Sequence, residues 1–484
     1  MRQLEFSNVS DTPRTMRVLD GVLDLLPPAV DKVMVSTLSN LVDAYRMSEL
    51  VDGVGVFGLG SIPVDRPEPS EALRATTAWC SATGTRLLGT EQTDIFRRGG
   101  AVEREDHARG ARSAFLVERE LTLSPGESAT WTFAFELDRA ADDVERLLAW
   151  QLDQERPADD VAAGVAESRT ALASLVAAAD GMQSTASDAE DARHAANTIY
   201  NAMRGGLFPH GHDQPRDAFV SYLKTAAPLV QDRNAERIAS WPRSWRAGAV
   251  LEEAGEDPEL ERHLREFLPL AFSRRHGDPS RPWNAFSIDV RSEDGDLRLG
   301  YQGNWRDIFQ NWEALGLSYP AYLEAFVVRF LNASTADGYN PYRITNEGID
   351  WEVLDPHDPW SYIGYWGDHQ IVYLTRLIER CEERFPQRLA SILGRDLFVH
   401  ADVPYRIRGF DDLVRNPRDT VEYDSERAWV IGERVAAEGA DGKLVHEPGG
   451  EIAHVTLEEK LLIPFLAKIS HLVPGAGIWM NTQR

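Results

Sequence analysis

The sequence LGYQGNWRDIFQNWEALG, Leu299–Gly316, opens a region of the chain that is rich in tryptophan and polar residues. Two further segments continue the pattern: NASTADGYNPYRITNEGIDWE, Asn332–Glu352, and DPWSYIGYWGDHQIVYL, Asp358–Leu374. Together they hold five of the chain's 13 tryptophans, interleaved with carboxylates, amides and an arginine. Ordinary protein cores are aliphatic and keep charges out. Aromatic faces that alternate with polar groups are typical of a pocket for a polyhydroxylated ligand, so we expect the rest of the chain to be the scaffold of this region.

Composition limits the class of protein. A chain of 484 residues predicts two or more domains. The net charge of −26 repels nucleic acid and anionic lipid, so neither is an expected partner. The two cysteines, Cys80 and Cys381, form no cluster with histidines, and neither a disulfide scaffold nor a metal site is expected. The chain has no long uninterrupted apolar run and no signal-peptide pattern, which predicts a cytoplasmic location.

The first 139 residues have the pattern of β-structure. Leu4 and Phe6 alternate with polar residues, and a Gly-punctuated apolar run covers Val54–Leu59. The clearest segment is Ala114–Leu137, in which two alternating runs flank the turn Ser124–Glu127. This arrangement predicts a β-hairpin.

From residue 140 onwards the periodicity is helical. Residues 140–188 predict a helical linker, and residues 189–484 predict a helical domain with long polar loops. Regular helices joined by ligand-bearing loops are typical of an α/α toroid with its site at one end of the ring. A β-hairpin is also expected over Phe286–Gly300. The predicted helices of the domain are Glu190–Arg204, Ser240–Glu253, Pro258–His276, Trp305–Leu315, Pro320–Ala333, Ser361–Arg384, Pro386–Leu393 and Leu457–His471.

The motif Gly303–Trp312 predicts a helix that begins at Trp305. Asp307 then lies in the first turn, where a carboxylate suits the helix dipole. Gln310 is three residues further on and shares its face, with Arg306 at the edge. These three polar residues are candidate ligand contacts. The alternative is a capping acid on a helix whose aromatic residues are buried.

Two more motifs supply candidate ligand residues. In Gly364–Gln370 a helix is expected to begin near Asp368, directly after Trp366; an N-cap role for Asp368 is the alternative and is compatible with binding. In the loop Gly348–Glu352, Asp350 and Glu352 flank Trp351. A solvated acidic loop is as consistent with this last motif as a binding role.

The order and content of these motifs resemble the cellobiose-phosphorylase-like inverting glycoside phosphorylases. The resemblance implies a multidomain β + α protein: a partial β-sandwich over residues 1–139, a helical linker over 140–188, and an (α/α)6 barrel over 189–484. It implies sugar contacts at Arg306, Asp307 and Gln310 in the first motif. Asp368 matches a further sugar-binding position of the family.

The resemblance also implies a reaction. One carboxylic acid protonates the glycosidic oxygen while phosphate attacks the anomeric carbon from the opposite face. The expected partners are an oligosaccharide or glycoside substrate and inorganic phosphate, without a cofactor, and a homodimer is left open. The family's general acid lies in a Trp-Asn-Asp motif that is absent from this sequence. The general acid is therefore expected beyond Arg484, and no residue is assigned as catalytic. The resemblance also implies that both the barrel and the sandwich are incomplete in this sequence.

Two alternatives to a phosphorylase remain at this point. An inverting glycoside hydrolase on the same barrel needs a second carboxylate as general base, which the loop Gly348–Glu352 could supply. The other alternative is a catalytically inactive fragment that at most binds sugar.

Overall fold

The computed structural model places most of the chain in two compact units, Met1–Ala171 and Leu172–Arg484. The residues that it describes are 1–28, 30, 32–62, 68–69, 74–153, 157–249, 254, 256–271, 297–341, 343–353, 365–366, 370–416, 419–470, 472–473 and 477–478.

The first unit is built from antiparallel β-strands, as the sequence predicts. One sheet has six strands in the order β1-β11-β7-β4-β3-β9, and a second has three in the order β2-β10-β8. The strands are β1 (Arg2–Ser7), β2 (Arg14–Leu23), β3 (Arg46–Val51), β4 (Val54–Leu59), β5 (Ser61–Ile62), β6 (Glu68–Pro69), β7 (Arg74–Cys80), β8 (Thr85–Gly89), β9 (His107–Arg109), β10 (Ser113–Leu123) and β11 (Ser128–Ala140).

The two sheets share one hydrophobic core. Phe115 of the smaller sheet meets Phe57 and Phe133 of the larger sheet edge to face, with ring centroids 6.4 and 6.2 Å apart. Aromatic pairs of this geometry add to the free energy gained from burying the rings. Alternate residues of each strand supply this core, which is why the period-2 pattern could be recognised in the sequence.

The prediction of a hairpin about Ser124–Glu127 is right in its strands and its turn but wrong in its strand pairing. The two strands, β10 and β11, flank the turn as expected, and Gly126 adopts a left-handed φ of 74° there. They do not pair with each other, however: β10 pairs with β2 and β8, whereas β11 pairs with β1 and β7. The turn carries the chain from one sheet to the other, and alternation alone does not reveal the pairing partner.

The described residues of the first unit also contain five helices, three of which lie between its strands and two after them. The segment predicted as a helical linker contains two of them, one of which packs through Val144 against Trp79 on the outer face of the larger sheet. The helices are α1 (Lys32–Thr37), α2 (Ser39–Tyr45), α3 (Thr93–Arg97), α4 (Ala141–Asp153) and α5 (Pro157–Ala178), the last of which crosses the boundary between the units.

Helix α5 also has a composition worth noting. Among the described residues it is the one helix long and apolar enough to cross a membrane by those two criteria alone. A single helix of this kind is weak support for a membrane location, and Glu167 and Arg169 interrupt its apolar run.

The second unit is mainly helical, and its described helices do not form a closed barrel. Its helices are α6 (Asp188–Gly205), α7 (Arg216–Ala226), α8 (Pro228–Ser240), α9 (Pro258–Glu266), α10 (Trp305–Ser318), α11 (Leu323–Asn332), α12 (Gln370–Arg384), α13 (Phe410–Arg415), α14 (Ser425–Glu438) and α15 (Leu457–Ser470), with 3₁₀ helices at Pro320–Tyr322, Ala390–Ile392 and Gly439–Lys443.

Short strands lie in the segments between the helices of this unit. They are β12 (Asp213–Pro215), β13 (Ser244–Arg246), β14 (Gln302–Asn304), β15 (Asn340–Pro341), β16 (Arg343–Thr345), β17 (Ile349–Asp350), β18 (Tyr365–Trp366), β19 (Phe398–Val399), β20 (Tyr405–Ile407), β21 (Val421–Tyr423), β22 (His454–Val455), β23 (Leu472–Val473) and β24 (Gly477–Ile478). Each described pair of them is antiparallel.

Some predicted helices are wrong or misplaced. The helix expected over Ser240–Glu253 is absent from its described part, where Trp245 lies in β13 and donates to Gln214 Oε1 at 2.8 Å. Tertiary strand pairing overrides the local helical periodicity there. The helix expected from Pro258 to His276 ends at Glu266.

Two other helix predictions change in extent. The segment Pro386–Leu393 forms only the 3₁₀ turn Ala390–Ile392. The helix expected from Ser361 begins at Gln370, and the strand β18 lies before it. The hairpin expected over Phe286–Gly300 lies almost wholly outside the described residues.

Candidate functional site

Backbone pairing brings the three predicted motifs together around residues 340–343. Strand β14, directly before the first motif, pairs with β16, so that Asn304 lies opposite Arg343. Strand β17 carries Asp350 and pairs with the other edge of β16. Strand β18 pairs with β15 and places Trp366 opposite Asn340. The first and third motifs, more than 60 residues apart in the sequence, thus pair with β16 and β15, which follow each other in the chain but belong to two separate small sheets.

Helix α10 begins at Trp305, as predicted, but its tryptophans belong to the core. Trp305 is 1% exposed and Trp312 is 0% exposed, and the indole nitrogen of Trp312 donates to the carbonyl of Gly205 at 2.8 Å. Neither ring can stack on a ligand in this arrangement. Of the two interpretations left open for this helix, the one with buried aromatic residues is right for Trp305 and Trp312.

The other residues of the helix motifs are placed only in part. Gln310 is exposed on α10. Arg306 and Asp307 belong to the first turn of α10 and Trp366 belongs to β18, but their side chains lie outside the described part of the chain. Asp368 lies outside it altogether. Their roles as sugar contacts stay predictions.

The loop after β17 holds two carboxylates on one arginine. Asp350 forms an ion pair with Arg343, its cross-strand neighbour, and Glu352 Oε1 lies 3.9 Å from Arg343 Nε. About a third of each carboxylate side chain is exposed. Trp351, between them, is half-buried, and its backbone N–H donates to Asp350 Oδ1 at 3.0 Å. The predicted acidic loop is therefore anchored rather than freely solvated.

Arg343 is a site residue that the sequence reasoning missed. Its side chain is 8% exposed, yet Nε and Nη1 have no hydrogen-bond acceptor in the described ranges. Buried polar groups are nearly always hydrogen-bonded, and an unsatisfied donor costs about 1–3 kcal/mol. The guanidinium therefore has donors that an oxygen-rich ligand could satisfy. Nothing in the segment NPYRIT distinguishes this arginine from one on a solvated loop.

Two residues from distant parts of the chain close the loop on its other side. Lys443 donates from Nζ to the carbonyl of Ile349 at 2.8 Å and lies 5.5 Å from the ring centre of Trp351. Burial lowers the pKa of the Lys443 ammonium. Tyr405 donates its hydroxyl to the carbonyl of Glu352 at 2.5 Å. Neither residue carries a local signal, because both contacts depend on tertiary packing.

The turn between β16 and β17 is fixed from beneath by Arg329. One guanidinium nitrogen, Nη2, donates to the carbonyls of Thr345, Asn346 and Gly348 at 2.6, 3.3 and 3.2 Å. The other terminal nitrogen lies 3.4 Å from Glu266 Oε2. The backbone that precedes Asp350 is thereby held by a buried positive charge.

Behind this turn lies a buried network of charges centred on Arg262. Its guanidinium contacts Asp441 at 2.6 Å, Glu259 at 2.7 Å and Glu266 at 3.0 Å. His263 Nε2 lies 2.9 Å from Asp441 as well. Burial alone would raise the pKa of Asp441, but Arg262 and His263 hold it below its usual value. Buried carboxylates are tolerated here because each is paired.

A cavity of about 20 Å³ separates this network from the turn. It is lined on one side by Arg262 and Asp441 and on the other by Gly348 and Lys443. This volume is enough for about one water molecule and too small for a sugar.

The network also contains a group with metal-ligand chemistry. Donor atoms of Glu259, His263 and Asp441 lie within 4.8 Å of one another. The guanidinium of Arg262 already contacts all three side chains, at 2.6 to 2.9 Å. A cation there would be repelled by the arginine, so the geometry favours an ion-pair network.

Neither known protein families nor curated proteins provide a match to this chain. The likeness to the glycoside phosphorylases rests on the motifs alone.

Proposed function

We propose that the second unit binds a glycoside at the loop Arg343–Glu352 and that the protein is of the glycoside phosphorylase type, cleaving its substrate by inverting phosphorolysis. The observation that carries the proposal is the buried guanidinium of Arg343, which has unused donors beside two half-exposed carboxylates and an indole. Aromatic rings that cover sugar C–H faces beside groups that bind hydroxyls are what saccharide recognition requires.

Each residue has a distinct role in this proposal. Trp351 stacks on the sugar ring, and Asp350 and Glu352 accept hydrogen bonds from hydroxyls. The free N–H groups of Arg343 donate to hydroxyl or phosphate oxygens, for which a guanidinium is well suited. Arg306, Asp307, Gln310 and Asp368 complete the sugar site by resemblance, and Trp366 supplies a second stacking ring.

In the proposed reaction a general acid protonates the glycosidic oxygen and a phosphate oxygen attacks the anomeric carbon. The carbon–oxygen bond to the leaving sugar breaks, and a sugar 1-phosphate of inverted configuration forms. No residue of this chain is assigned as the acid. The reaction needs inorganic phosphate and no cofactor.

A hydrolase is the second candidate, because Arg343 holds two carboxylates in one loop. An inverting hydrolase uses a second carboxylate as the base that activates water. Asp350 or Glu352 could act in this way.

The test incubates the protein with a panel of disaccharides, with and without inorganic phosphate, and measures sugar 1-phosphate and free sugar. Phosphate-dependent sugar 1-phosphate supports the phosphorylase, and phosphate-independent free sugar supports the hydrolase. If the protein binds a disaccharide saturably and forms neither product, it is a sugar-binding protein without catalytic activity.

Binding is measured separately by calorimetry on Trp351→Ala and Arg343→Gln. We expect each variant to lose about tenfold or more in affinity. The controls are Trp429→Ala, whose residue is 67% exposed, and Asp217→Asn, whose side chain is 96% exposed. Unchanged affinity in both site variants would overturn the site.

A further inference from the structure

The first unit contains a second groove that none of the motifs above predicted. It has a volume of about 430 Å³ and lies between the outer face of the larger sheet and helices α4 and α5. Small-molecule sites usually have volumes of about 300–1,000 Å³. Its walls use strands β7 and β11 and the two helices; the lining residues that matter here are Thr77, Trp79, Glu136, Arg139, Trp150 and Asp160.

The strand register assembles the floor of this groove. Thr77 of β7 lies directly opposite Glu136 of β11, and Trp79 shares their face of the sheet. A β-bulge follows Glu136, at which Asp138 has a left-handed φ of 55°. The extra residue turns Arg139 onto the same face as Glu136, which regular alternation would not do. The bulge thus adds a polar group to the groove.

Two tryptophans form the aromatic wall. Trp79 and Trp150 meet edge to face, with ring centroids 5.8 Å apart and an interplanar angle of 72°. Trp79 is 7% exposed, whereas Trp150 on α4 is half-buried and is the ring that a ligand can reach. The indole nitrogen of Trp150 donates to Asp160 Oδ2 at 3.2 Å.

Most charges of the groove compensate one another locally. Glu136 Oε2 lies 3.1 Å from Arg139 Nε, and Asp143 pairs with Arg146. The lining has three carboxylates and two guanidinium groups and so a formal charge of −1. This balance favours a neutral ligand with many hydroxyls over a phosphate or a polycation.

Thr77 provides an independent sign of a ligand. The residue is 1% exposed and lines the groove, yet its hydroxyl has no hydrogen-bond partner in the described part of the chain. A buried hydroxyl without a partner is costly, and most such groups in folded proteins are satisfied by protein or water. Its neighbour on the floor of the groove is Glu136, so a ligand hydroxyl there could bond to both.

We propose that this groove is a saccharide-binding site of the first unit. Trp150 packs against a sugar ring, and Thr77 and Glu136 bind its hydroxyls. The inference does not rest on the site proposed for the second unit, because the two share no residue.

Binding of linear oligosaccharides to the full chain tests this inference. The probes are malto- and cello-oligosaccharides, measured by calorimetry and by retardation in gels that contain soluble glucan. We expect saturable binding that falls about fivefold in Thr77→Val and about tenfold in Trp150→Ala. Matched controls are the exposed Thr375→Val, whose hydroxyl bonds within its own helix, and Trp429→Ala.

Thr77→Val separates binding from folding. Because it removes an unpaired hydroxyl and keeps the shape, its melting temperature should equal or exceed that of the unchanged protein while its affinity falls. Trp351→Ala should leave binding at this groove unaltered, which distinguishes failure here from failure of the site in the second unit. The inference is overturned by absence of oligosaccharide binding or by equal affinities of all variants.

Discussion

Arg343 and Asp350 face each other across strands β16 and β17 and form an ion pair, and two donor groups of the arginine have no acceptor among the described residues. The pair joins a side chain that is 8% exposed to one that is 35% exposed, and Glu352 adds a second, longer contact to the same guanidinium. The same pair orders the loop on which Trp351 and Glu352 lie.

Asp350→Asn should therefore lower stability. Because it removes the closer of the two carboxylates that pair with the buried guanidinium, we expect a loss of roughly 1–3 kcal/mol in the free energy of unfolding, measured with urea. Asp217→Asn, on an exposed pair 3.7 Å long, should change it by less than about 0.5 kcal/mol. If the two variants lose the same free energy of unfolding, the ion pair of Arg343 with Asp350 does not stabilise the fold.

Arg262→Met should be far more harmful. It removes the positive charge shared by Glu259, Glu266 and Asp441, and breaking a buried ion pair typically costs about 3–5 kcal/mol. Urea unfolding, or soluble yield if the variant does not fold, measures the effect. Arg415→Met is the control, since its pair with Asp412 is exposed and worth little. A stability close to that of the control would contradict the assignment of the network as structural.

His400 should make the fold sensitive to acid. Burial, and then the neighbouring Lys460 whose Nζ lies 2.9 Å from Nδ1, lower the pKa of His400 to about 3. The unfolded imidazole takes up its proton near pH 6.5, so between these values the unfolded state binds more protons. Each unit of acidification in this window should then cost about 1.4 kcal/mol of stability.

His400→Asn tests this origin, because it keeps a hydrogen-bond acceptor near Lys460 and removes the titrating group. Unfolding free energies are measured at intervals from pH 8 to pH 4. The variant should show a shallower fall below pH 6.5, and the two curves should run parallel above pH 7. Identical slopes in acid would exclude His400 as the source.

Asp257 should make stability depend on pH in a more acidic range than His400 does. Burial would raise its pKa, but Arg233 and Asn234, both within 2.9 Å, lower it to about 2. Its stabilising effect is present above pH 3.8 and is lost as the pH falls from 3.8 towards 2. Asp257→Asn keeps an N-cap for α9 and should cost roughly 1 kcal/mol at pH 7.

The measurement for Asp257 is the difference in unfolding free energy between the variant and the unchanged protein. It should be present at pH 7 and shrink at pH 3. A difference that stays constant with pH would mean that the lost contact is not ionic.

Local patterns in the sequence predicted several elements well. The strands β1, β4, β10 and β11 and the start of α10 at Trp305 lie where the sequence patterns placed them. Burial alternates along β1, as its period-2 pattern predicts, whereas β4 is buried on both faces and was recognised by its apolar run. The sequence also identified the loop with Asp350, Trp351 and Glu352 as a candidate ligand-binding motif.

The sequence could not separate tryptophans of the core from a partly exposed one. Trp305, Trp312 and Trp351 all stand beside polar residues, yet two are in the core and one is half-buried on a loop. The difference depends on which helices pack around α10, and those helices are distant in sequence.

By itself, the sequence determined that the first unit is built from strands and the second mainly from helices, since alternation and helical spacing follow from the geometry of single elements. Only the tertiary structure decided that β10 and β11 enter different sheets, that Arg343 and Lys443 border Trp351, and that Thr77 lies on the floor of a groove with Trp150. Each of these relationships joins residues through strand register or helix packing, and neither is encoded in a short stretch of residues.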